Sequence, residues 1–558
     1  MNKQNLLILC VAIFFSMPLL ARGGVTSRVT LHEEVYPYQY ISRISSLEGE
    51  VWYGAYTAKA FCNTPFSKIQ FQPYPSEFAK KDLSRDNNGN QAAPLLISNM
   101  GRYIWSDEPF AFELKQGNLL LYSNHEKITS VQAGTTLRDA YVAAMRKHFP
   151  PTGRTPDRLM FKMPQYNTWI ELGRNQNQKD ILKYAADIIE NGFPTGVFMV
   201  DDQWAKDYGC LEFDPVKFPD PKAMVEELHS KGFKIMLWLT PFISPDGEEF
   251  KEMLSKGGLV LEKGSRKPAI IKWWNGYSAC LDLTKEVAMD WLRGKLKSLQ
   301  DTYGIDGFKF DAVDFDFYVE GSTVFPNKET NVKGYEQSEI YTRLGTEFAF
   351  SEMRASWKNG NQPVAQRLQD KGYSWDELKL LIPDMLSAGL IGHHYTCPDM
   401  IGGGLLGTFE NIDYATFDQS LMIRSAQNQA LMPMMQFSVA PWRVLDRKHL
   451  DMCRAAALLH SRMGDYIYGL AQEAAKGGEP IVRHMEYAFP HQGFLSCNDQ
   501  YMLGDKYLVA PMIEKGTTRT VALPKGKWKD EQGKIYKGGR TVRIEVPLGR
   551  LPYFERIK

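Results

Sequence analysis

The pattern of hydrophobic and polar positions changes twice along the chain, and these changes predict three regions. From about residue 25 to 155, short alternating runs rich in β-branched and aromatic side chains are separated by turn residues, as in EVWYGAYTA and FAFELKQGNLLLYS. Alternation with a period of two is typical of half-buried antiparallel strands, so this region is predicted to form a β-sandwich. The same pattern returns after about residue 481 in IVRHMEYAF and RTVALPKGKW, which predicts a small C-terminal β-domain.

The middle of the chain alternates continuous apolar runs with polar loops and amphipathic helices. Helices are predicted over PKAMVEELHSKG, VAMDWLRGKLKSLQDTYG and SWDELKLLIPDMLSAG, and the last opens with a capping-box pair, Ser374 and Glu377. Because buried parallel strands read as continuous apolar runs, this alternation predicts a parallel (β/α)8 barrel. The candidate strands are GVFMV (196–200), KIMLWLT (234–240), AIIKWW (269–274), GFKFD (307–311), PVAQR (363–367), LIGHHYT (390–396) and LMPMMQFS (431–438).

The predicted fold class is therefore α/β. A (β/α)8 barrel occupies residues 156–480, an N-terminal β-sandwich residues 24–155 and the C-terminal β-domain residues 481–558. Ahead of them, one lysine precedes an apolar run that small residues follow, which predicts a cleaved signal peptide at 1–23 and export to the periplasm or the extracellular space. A membrane anchor is the alternative for this run. After cleavage no stable membrane insertion is expected, since no later stretch is long and apolar enough.

Composition narrows the classes of partner. Lys plus Arg total 66 against 65 for Asp plus Glu, so nothing in the net charge of +1 indicates a nucleic-acid partner. A hydrophobic fraction of 44% indicates a well-packed globular protein. Apart from Cys10, six scattered cysteines show no C-x-x-C pair and no zinc signature, so no metal site is predicted. One or two disulfides are compatible with export, and their pairing stays open.

Polar side chains at the ends of the predicted strands mark the candidate site. In GFKFDAVD, Lys309 and Asp311 are two residues apart and share the face opposite Phe308 and Phe310. Buried charges are costly unless they are paired or used, and active sites of (β/α)8 barrels form at the C-terminal strand ends. The same rule selects Asp201, Asp202, Trp273, Trp274, Asn275, Arg367, Asp399, Gln436 and Ser438.

These residue types favour carbohydrate chemistry. A glycosidase needs one carboxylate against the anomeric carbon and another to protonate the leaving oxygen, while tryptophan faces suit the C–H faces of sugars. Adjacent residues of a strand point to opposite faces, so one of the two neighbouring tryptophans is predicted to be core, and Asp201 and Asp202 carry the same ambiguity. The remaining polar residues have structural interpretations. Barrel hydrogen bonds are predicted for His393 and His394, and loop or surface positions for Asp314, Asp316 and Glu320.

Two segments carry a resemblance to a known family. GFKFDAVD resembles the nucleophile segment, and HHYTCPDMIGGG the acid/base segment, of glycoside hydrolase family 31, the retaining α-glycosidases. Further stretches agree in order: WYGAYTAKAF, PLLISNMGRYIWS, WNGYSACLDLT, AQRLQDKGYSW and LVAPMIEKGTTRTVALPKGKW. Within the family, PDMIGG and MPMMQFSVAPW resemble the branch that contains animal myogenesis-regulating glycosidase and some bacterial α-galactosidases.

The resemblance implies roles for particular positions. Asp311 would be the nucleophile and Asp399 the acid/base of a double displacement that retains the α configuration and needs no cofactor. An oligosaccharide or glycoside would be the substrate, and a terminal α-linked galactose or glucose would be released. The residues implied to line the sugar pocket are Asp201 or Asp202, Trp273 or Trp274, Lys309, Arg367 and Gln436.

Two departures from the family pattern argue against a plain α-glucosidase. Lys309 stands where many family α-glucosidases have Trp, and Gln436-Phe437-Ser438 replaces an Arg-x-His. Two alternative functions stay open on the same residues. One is an α-transglycosidase, in which a sugar resolves the intermediate, and the other is a carbohydrate-binding protein on a catalytically weak scaffold.

Overall fold

The structure is a computed structural model and describes residues 38–57, 72–87, 90–322 and 324–557. The predicted signal peptide at 1–23 lies outside these residues, as do Cys10 and Cys62. None of the helices in the described ranges is long and apolar enough to cross a membrane. The five cysteines that the structure describes are free thiols.

The front of the chain forms two antiparallel sheets. One sheet has the order β1-β7-β6-β3, and the other joins β2, β4, β5 and β8. Trp52, Tyr56, Ile104 and Phe112 come from both sheets and pack in one buried cluster, as the alternating pattern predicts for a sandwich. The elements are β1 (Tyr40–Ser45), β2 (Trp52–Tyr56), β3 (Phe78–Asp82), β4 (Gln91–Ser98), β5 (Arg102–Trp105), β6 (Ala111–Lys115), β7 (Asn118–Ser123), β8 (Ser130–Gln132) and α1 (Leu137–His148).

The middle of the chain carries the barrel and its insertions. Its helices are α2 (Leu159–Lys162), α3 (Trp169–Leu172), α4 (Gln178–Glu190), α5 (Pro221–Ser230), α6 (Glu248–Lys256), α7 (Glu286–Tyr303), α8 (Gly334–Gly345), α9 (Trp375–Leu378), α10 (Leu381–Leu390), α11 (Gln419–Ala430), α12 (Pro441–Val444) and α13 (Arg447–Gly477). Its strands are β9 (Gln165–Asn167), β10 (Val197–Val200), β11 (Lys234–Leu239), β12 (Phe242–Ile243), β13 (Ile271–Trp273), β14 (Gly276–Cys280), β15 (Gly307–Phe310), β16 (Phe350–Met353), β17 (Ser356–Trp357), β18 (Ala365–Arg367), β19 (Thr396–Cys397) and β20 (Gln436–Phe437).

Eight parallel strands form the predicted barrel, in the order β19-β18-β16-β15-β11-β10-β9-β20. A parallel bridge between Met400 and Gln436 joins the segment after β19 to β20 and closes the ring. The (β/α)8 expectation is confirmed. Ser374 accepts a hydrogen bond from the backbone N–H of Glu377 at 3.1 Å, as the capping pattern predicts, although the predicted helix is split into α9 and α10.

The prediction is wrong for the segment AIIKWW, which is not a barrel strand. It contributes β13, which pairs antiparallel with β14 in a three-stranded sheet between β11 and β15. Two strands absent from the prediction, β9 and β16, take part in the ring instead. Both carry polar residues that face the barrel interior, so an apolar run does not mark them.

The C-terminal region folds as predicted into short antiparallel strands. Its elements are β21 (Val482–Arg483), α14 (Met485–Ala488), β22 (Tyr501–Leu503), β23 (Tyr507–Val509), β24 (Thr518–Leu523), β25 (Lys527–Asp530), β26 (Ile535–Lys537), β27 (Arg540–Glu545) and β28 (Tyr553–Arg556). β24 pairs with β27, and the other strands form a separate sheet. Met502, Leu508, Trp528 and Phe554 belong to the core of this region.

Candidate active site

Three neighbouring barrel strands, β11, β15 and β16, bring polar side chains together around Asp311. Asp311 follows β15, and its Oδ2 accepts a hydrogen bond of 2.7 Å from the indole Nε1 of Trp238 on β11. Its Oδ1 accepts the backbone N–H of Ala312 at 2.8 Å and lies 3.6 Å from Nε of Arg354, which follows β16. Both carboxylate oxygens are therefore held in fixed directions at the strand ends, where barrel active sites form.

The backbone after Asp311 turns through an unfavourable conformation. Ala312 and Val313 have φ values of 67° and 60°, in the left-handed region. For a β-branched residue such as valine this region is a genuine outlier. The turn directs the N–H of Ala312 back onto the Asp311 carboxylate, so the strained backbone supports the position of this side chain.

Charge keeps Asp311 ionised. Burial raises the pKa of this carboxyl, but the positive charges of Arg354, Lys309 and Arg367 and the hydrogen bond from Trp238 outweigh it and leave the pKa below its ordinary value. An ionised carboxylate at neutral pH is the form that can attack an anomeric carbon. Among the positive charges Arg354 contributes most, and Lys309, which shares the strand face of Asp311, contributes less.

Lys309 makes its direct contact with another residue. Its Nζ donates a hydrogen bond of 2.7 Å to Oδ2 of Asp201, which follows β10, and both side chains are buried. Asp201 in turn accepts the backbone N–H of Asp202 at 2.9 Å. The lysine and Asp201 thus form a buried ion pair, from which the lysine acts on Asp311 through its charge.

Asp202 belongs to a second group, formed by the loop after β10 and the turn after β13. It accepts hydrogen bonds from Asn275 Nδ2 at 2.7 Å and from the hydroxyl of Tyr208 at 3.2 Å. Burial, and then the negative charge of Asp201, raise the pKa of Asp202 to about 6. Both aspartates of the predicted pair therefore point to this end of the barrel.

The side chains of the two adjacent tryptophans, Trp273 and Trp274, lie in different environments, as strand geometry requires. Trp273 is 2% exposed and stacks on Phe242 with the ring centroids 4.5 Å apart. Trp274 is 37% exposed, and the guanidinium of Arg354 lies 4.9 Å from the centre of its ring. Trp273 is therefore core, and Trp274 lies beside the group that contacts Asp311.

Arg367 joins a second pair of carboxyls. Its NH1 donates a hydrogen bond to Oδ1 of Asp370 and lies 3.5 Å from Oδ1 of Asp399, while its Nε is 3.7 Å from Glu352. NH1 of Arg354 lies 4.0 Å from Oδ2 of Asp370. Arg354 thus lies between Asp311 and Asp370, whereas Arg367 is buried behind them.

The carboxyls on either side of Arg367 differ in exposure and in pKa. The side chain of Asp399 is 1% exposed, and burial, followed by the charge of Asp370, raises its pKa to about 7. The side chain of Asp370 is 26% exposed. Burial raises the pKa of Asp370, but Arg367 and Arg354 outweigh it and leave the pKa below its ordinary value. Asp399 therefore holds a proton more readily, whereas Asp370 is the carboxyl that a substrate can reach.

The structure places Gln436 and Ser438 in the barrel interior. Nε2 of Gln436 donates to Glu352 at 2.9 Å and to Gln165 at 3.1 Å. The hydroxyl of Ser438 accepts the backbone N–H of Ile170 at 2.7 Å. Both side chains are fully buried, and the amide of Gln436 links barrel strands; a contact of Gln436 with a sugar stays a prediction.

Asp314 and the two adjacent histidines, His393 and His394, are buried and contact other protein side chains. Asp314 lies in the loop after β15, one of its two predicted positions, but it is buried and accepts a hydrogen bond of 3.3 Å from Nε of Arg354. His394 contacts Asn361, and His393 lies 3.5 Å from the hydroxyl of Ser356. Burial lowers the pKa of both histidines to about 3, which suits neutral hydrogen-bonding groups.

Sequence reasoning did not select Arg354, Trp238 or Asp370 as site residues. Glu352 and Arg354 are two residues apart in FSEMR, the same spacing that drew attention to Lys309 and Asp311. That signal was present, but FSEM is too polar to be recognised as a barrel strand.

Comparisons with known proteins agree with this arrangement. The family model "Glycosyl hydrolases family 31 TIM-barrel domain" matches residues 160–470. The model "Glycosyl hydrolase family 31 C-terminal domain" matches residues 478–557. Among solved structures, the family 31 dextranase of Flavobacterium johnsoniae superposes with a TM-score of 0.80 at 20% identity, over 92% of this chain and 66% of that chain.

Relatives of curated function are similar over most of this chain. Myogenesis-regulating glycosidase of Mus musculus is 31% identical over 435 residues, which are 76% of this chain and 60% of the relative. Alpha-xylosidase XylQ of Lactiplantibacillus pentosus is 25% identical over 80% of this chain and 60% of the relative. The chain thus spans about 60% of the length of these two relatives. Because both family models match this chain and its barrel carries the carboxyls described above, the chain belongs to glycosyl hydrolase family 31.

Proposed function

We propose that the chain is an exo-acting, retaining α-glycoside hydrolase that releases a terminal α-linked hexose from an oligosaccharide. The observation that carries the proposal is the bridge made by Arg354, which lies 3.6 Å from Asp311 and 4.0 Å from Asp370. It brings an ionised carboxylate and a partly exposed carboxyl to one place at the barrel mouth. A double displacement needs two carboxyl groups, a nucleophile and an acid/base, within reach of one glycosidic bond.

The reaction has two steps. In the first, the Asp311 carboxylate forms a bond to the anomeric carbon while the bond to the leaving oxygen breaks, and a carboxylic acid gives its proton to that oxygen. In the second, the resulting carboxylate takes a proton from water, the water oxygen attacks the anomeric carbon, and Asp311 leaves. Two inversions retain the α configuration.

For the acid/base we propose Asp370 in place of Asp399. The donor must reach the glycosidic oxygen, and Asp370 is 26% exposed whereas Asp399 is 1% exposed. The raised pKa of Asp399 suits a proton donor, but its Oδ2 accepts the backbone N–H of Lys371 at 2.8 Å and faces the protein interior. Access decides, because a buried acid cannot protonate a substrate that it does not touch. Arg367 and Arg354 hold Asp370 ionised in the free chain, so the proposal requires that Asp370 takes up its proton when substrate is bound.

The glycone is proposed as galactose or glucose. One relative, of Saccharolobus solfataricus, is named an α-glucosidase, whereas α-xylosidase XylQ is named for another sugar and an isomaltosyltransferase of Sporosarcina globispora for a transfer reaction. The Lys309–Asp201 ion pair at the pocket floor supports a pocket unlike that of α-glucosidases with an aromatic residue there. Lys309 is thus our main reason for keeping α-galactosides among the candidates.

A substrate panel with three variants tests the proposal. Aryl α-galactoside, α-glucoside, α-xyloside and α-N-acetylgalactosaminide are assayed with the wild type, Asp311→Ala, Asp370→Ala and Asp399→Ala. Asp311→Ala should lose on the order of 10³-fold or more in kcat. With added azide, Asp311→Ala should form the β-glycosyl azide and Asp370→Ala the α-glycosyl azide, because azide replaces a different group in each.

The outcomes separate the assignments. An α-glycosyl azide from Asp399→Ala instead would return the acid/base role to Asp399. Activity on β-linked substrates alone would reject the proposed function. Product analysis with a second sugar present distinguishes hydrolysis from transfer to a sugar. Export is proposed on the apolar run in residues 6–20 and is tested by N-terminal sequencing of the mature protein.

A further inference from the structure

A glutamine of the front sandwich reaches the mouth of the barrel. Gln91 begins β4, is fully buried, and donates from Nε2 to the backbone carbonyl oxygens of Arg354 and, at 3.0 Å, Arg367. Its Oε1 accepts a hydrogen bond of 2.8 Å from the hydroxyl of Thr57. Because carbonyl oxygens only accept, the amide must turn its two N–H groups toward the arginines. Both the nitrogen and the oxygen of the Gln91 amide therefore have hydrogen-bond partners.

The two arginines that Gln91 joins belong to neighbouring barrel strands. Arg354 follows β16 and Arg367 ends β18, and their guanidinium groups contact Asp311 and Asp370, respectively. The N–H of Arg354 also donates to the carbonyl of Phe310, on β15, at 3.0 Å. The main chain of Arg354 is thus held by the nucleophile strand on one side and by Gln91 on the other.

Strand β17 reinforces this contact. Directly after Arg354 the chain leaves the barrel and pairs parallel with the start of β4, with Ser356 opposite Gln91. The N–H of Lys358 then donates to the carbonyl of Ala92 at 3.2 Å. The sandwich therefore determines where the chain lies immediately after Arg354. Through Gln91 it also holds the backbone carbonyls of both Arg354 and Arg367.

We propose that Gln91 is a positioning residue of the active site, which sets the spacing of Arg354 and Arg367 and through them the directions of the Asp311 and Asp370 carboxyls. The inference rests on the proposed function. Glutamine suits the task because one planar amide offers two donors and one acceptor. Neither glutamate, which would turn a carboxylate toward two carbonyls, nor leucine, which has no donor, can replace these bonds.

The same sandwich contains a matched control. Gln72 is buried and makes similar bonds: its Oε1 accepts the N–H of Gly54 at 3.1 Å, and its Nε2 donates to the carbonyls of Gly54 and Tyr56 at 3.3 and 3.4 Å. All three bonds stay on β2. Gln72→Leu should therefore cost a similar amount of stability without reaching the barrel.

The experiment compares Gln91→Leu and Gln72→Leu in the full chain, with a series of aryl α-glycosides whose leaving groups range from good to poor. A displaced acid slows reactions that need protonation most, because small misplacements of a catalytic group are costly. Gln91→Leu should lose about tenfold more kcat/KM on the poorest leaving group than on the best one. Gln72→Leu should keep the wild-type dependence on the leaving group.

Several results would overturn the inference. Equal dependence on the leaving group in both variants would make Gln91 a purely structural residue. If Gln91→Leu does not fold, Gln91→Asn, which keeps the amide but is too short to reach both carbonyls, is measured against Gln72→Asn with the same expectation. A wild type inactive on every α-glycoside would reject the proposed function, whereas an active wild type with identical variants would reject only the role of Gln91.

Discussion

Arg367 lies between two carboxyls whose pKa values move in opposite directions. Asp399 is buried, and its pKa rises from 3.8 to about 7, so the folded state keeps a proton that the unfolded chain has lost. Asp370 is held in its charged form by Arg367 and Arg354. One guanidinium can stabilise only part of the negative charge around it, so the more buried carboxyl is the one that stays protonated.

This difference predicts a pH-dependent stability effect. Because the pKa of Asp399 is raised in the folded state, wild-type stability should fall as pH rises from about 4 to about 7, by up to about 1.4 kcal/mol per pH unit. Asp399→Asn mimics the protonated form and should lack this loss. The free energy of unfolding, measured in urea at pH 4 to 8, should therefore favour the variant increasingly up to pH 7.

Asp370→Asn provides the control of opposite sign. A carboxyl whose folded pKa is depressed contributes stability above its unfolded pKa, and this contribution disappears as pH falls through the folded value. Asp370→Asn should therefore be less stable than the wild type at pH 7 and approach it at acidic pH. Parallel pH curves for the two variants would contradict the division of charge around Arg367.

Residue types alone do not predict which side chains of the site contact each other. The sequence places Lys309 and Asp311 on one face, but the lysine bonds Asp201, 108 positions earlier, and Arg354 takes the place beside Asp311. Both contacts join residues on different barrel strands. Their choice depends on the order and stagger of the strands, which no local pattern contains.

Among whole elements, apolar runs mark barrel strands only where apolar side chains dominate the segment. β10 and most of β11 are apolar, and β15 has two phenylalanines around Lys309; all three are predicted correctly, with their ends at the site. β9 and β16 are not, because Gln165 and Glu352 point inward and are bonded by Gln436. β13 is the opposite case, an apolar run that is not a barrel strand, because Ile271 and Trp273 bury their side chains in an insertion outside the ring.

The loop after β19 makes a close approach to the two carboxyls, which predicts a sensitive glycine. A Cβ on Gly404 would lie 2.5 Å from Oδ1 of Asp370 and 3.0 Å from Oδ1 of Asp399. Its carbonyl is also fixed, because it accepts a hydrogen bond of 3.0 Å from Nε1 of Trp169. Gly404→Ala should therefore displace Asp370 and lower kcat about 100-fold on substrates with poor leaving groups.

Gly372 is the matched glycine, two residues after Asp370. A Cβ there would meet Leu405 at 3.5 Å, an ordinary contact, so Gly372→Ala should retain activity close to that of the wild type. Both variants are compared by steady-state kinetics and by thermal unfolding. Equal kcat values for the two variants would contradict the expectation that displacing Asp370 impairs proton transfer.

For the molecule as a whole, the sandwich and the barrel share a core. Phe315, in the loop after Asp311, and Trp357 of β17 belong to the buried cluster of the sandwich and meet edge to face with ring centroids 5.7 Å apart. Both segments start within a few residues of the site, at Asp311 and at Arg354. Alternation and apolar runs predict two separate regions here, and this shared core follows only from the assembled structure.

Shared packing predicts that the two regions unfold together. Trp357 is fully buried, and Trp357→Ala should lower the free energy of unfolding by about 3–5 kcal/mol. Trp528→Ala, in the core of the C-terminal β-domain, should cost a similar amount of stability but lies in a different cluster.

Calorimetry with parallel activity measurements distinguishes the two variants. Trp357→Ala should lower activity per folded molecule, because the chain beside Arg354 loosens, whereas Trp528→Ala should not. A sandwich transition that precedes any loss of activity would contradict this coupling, since the arginines would then keep their positions without the sandwich.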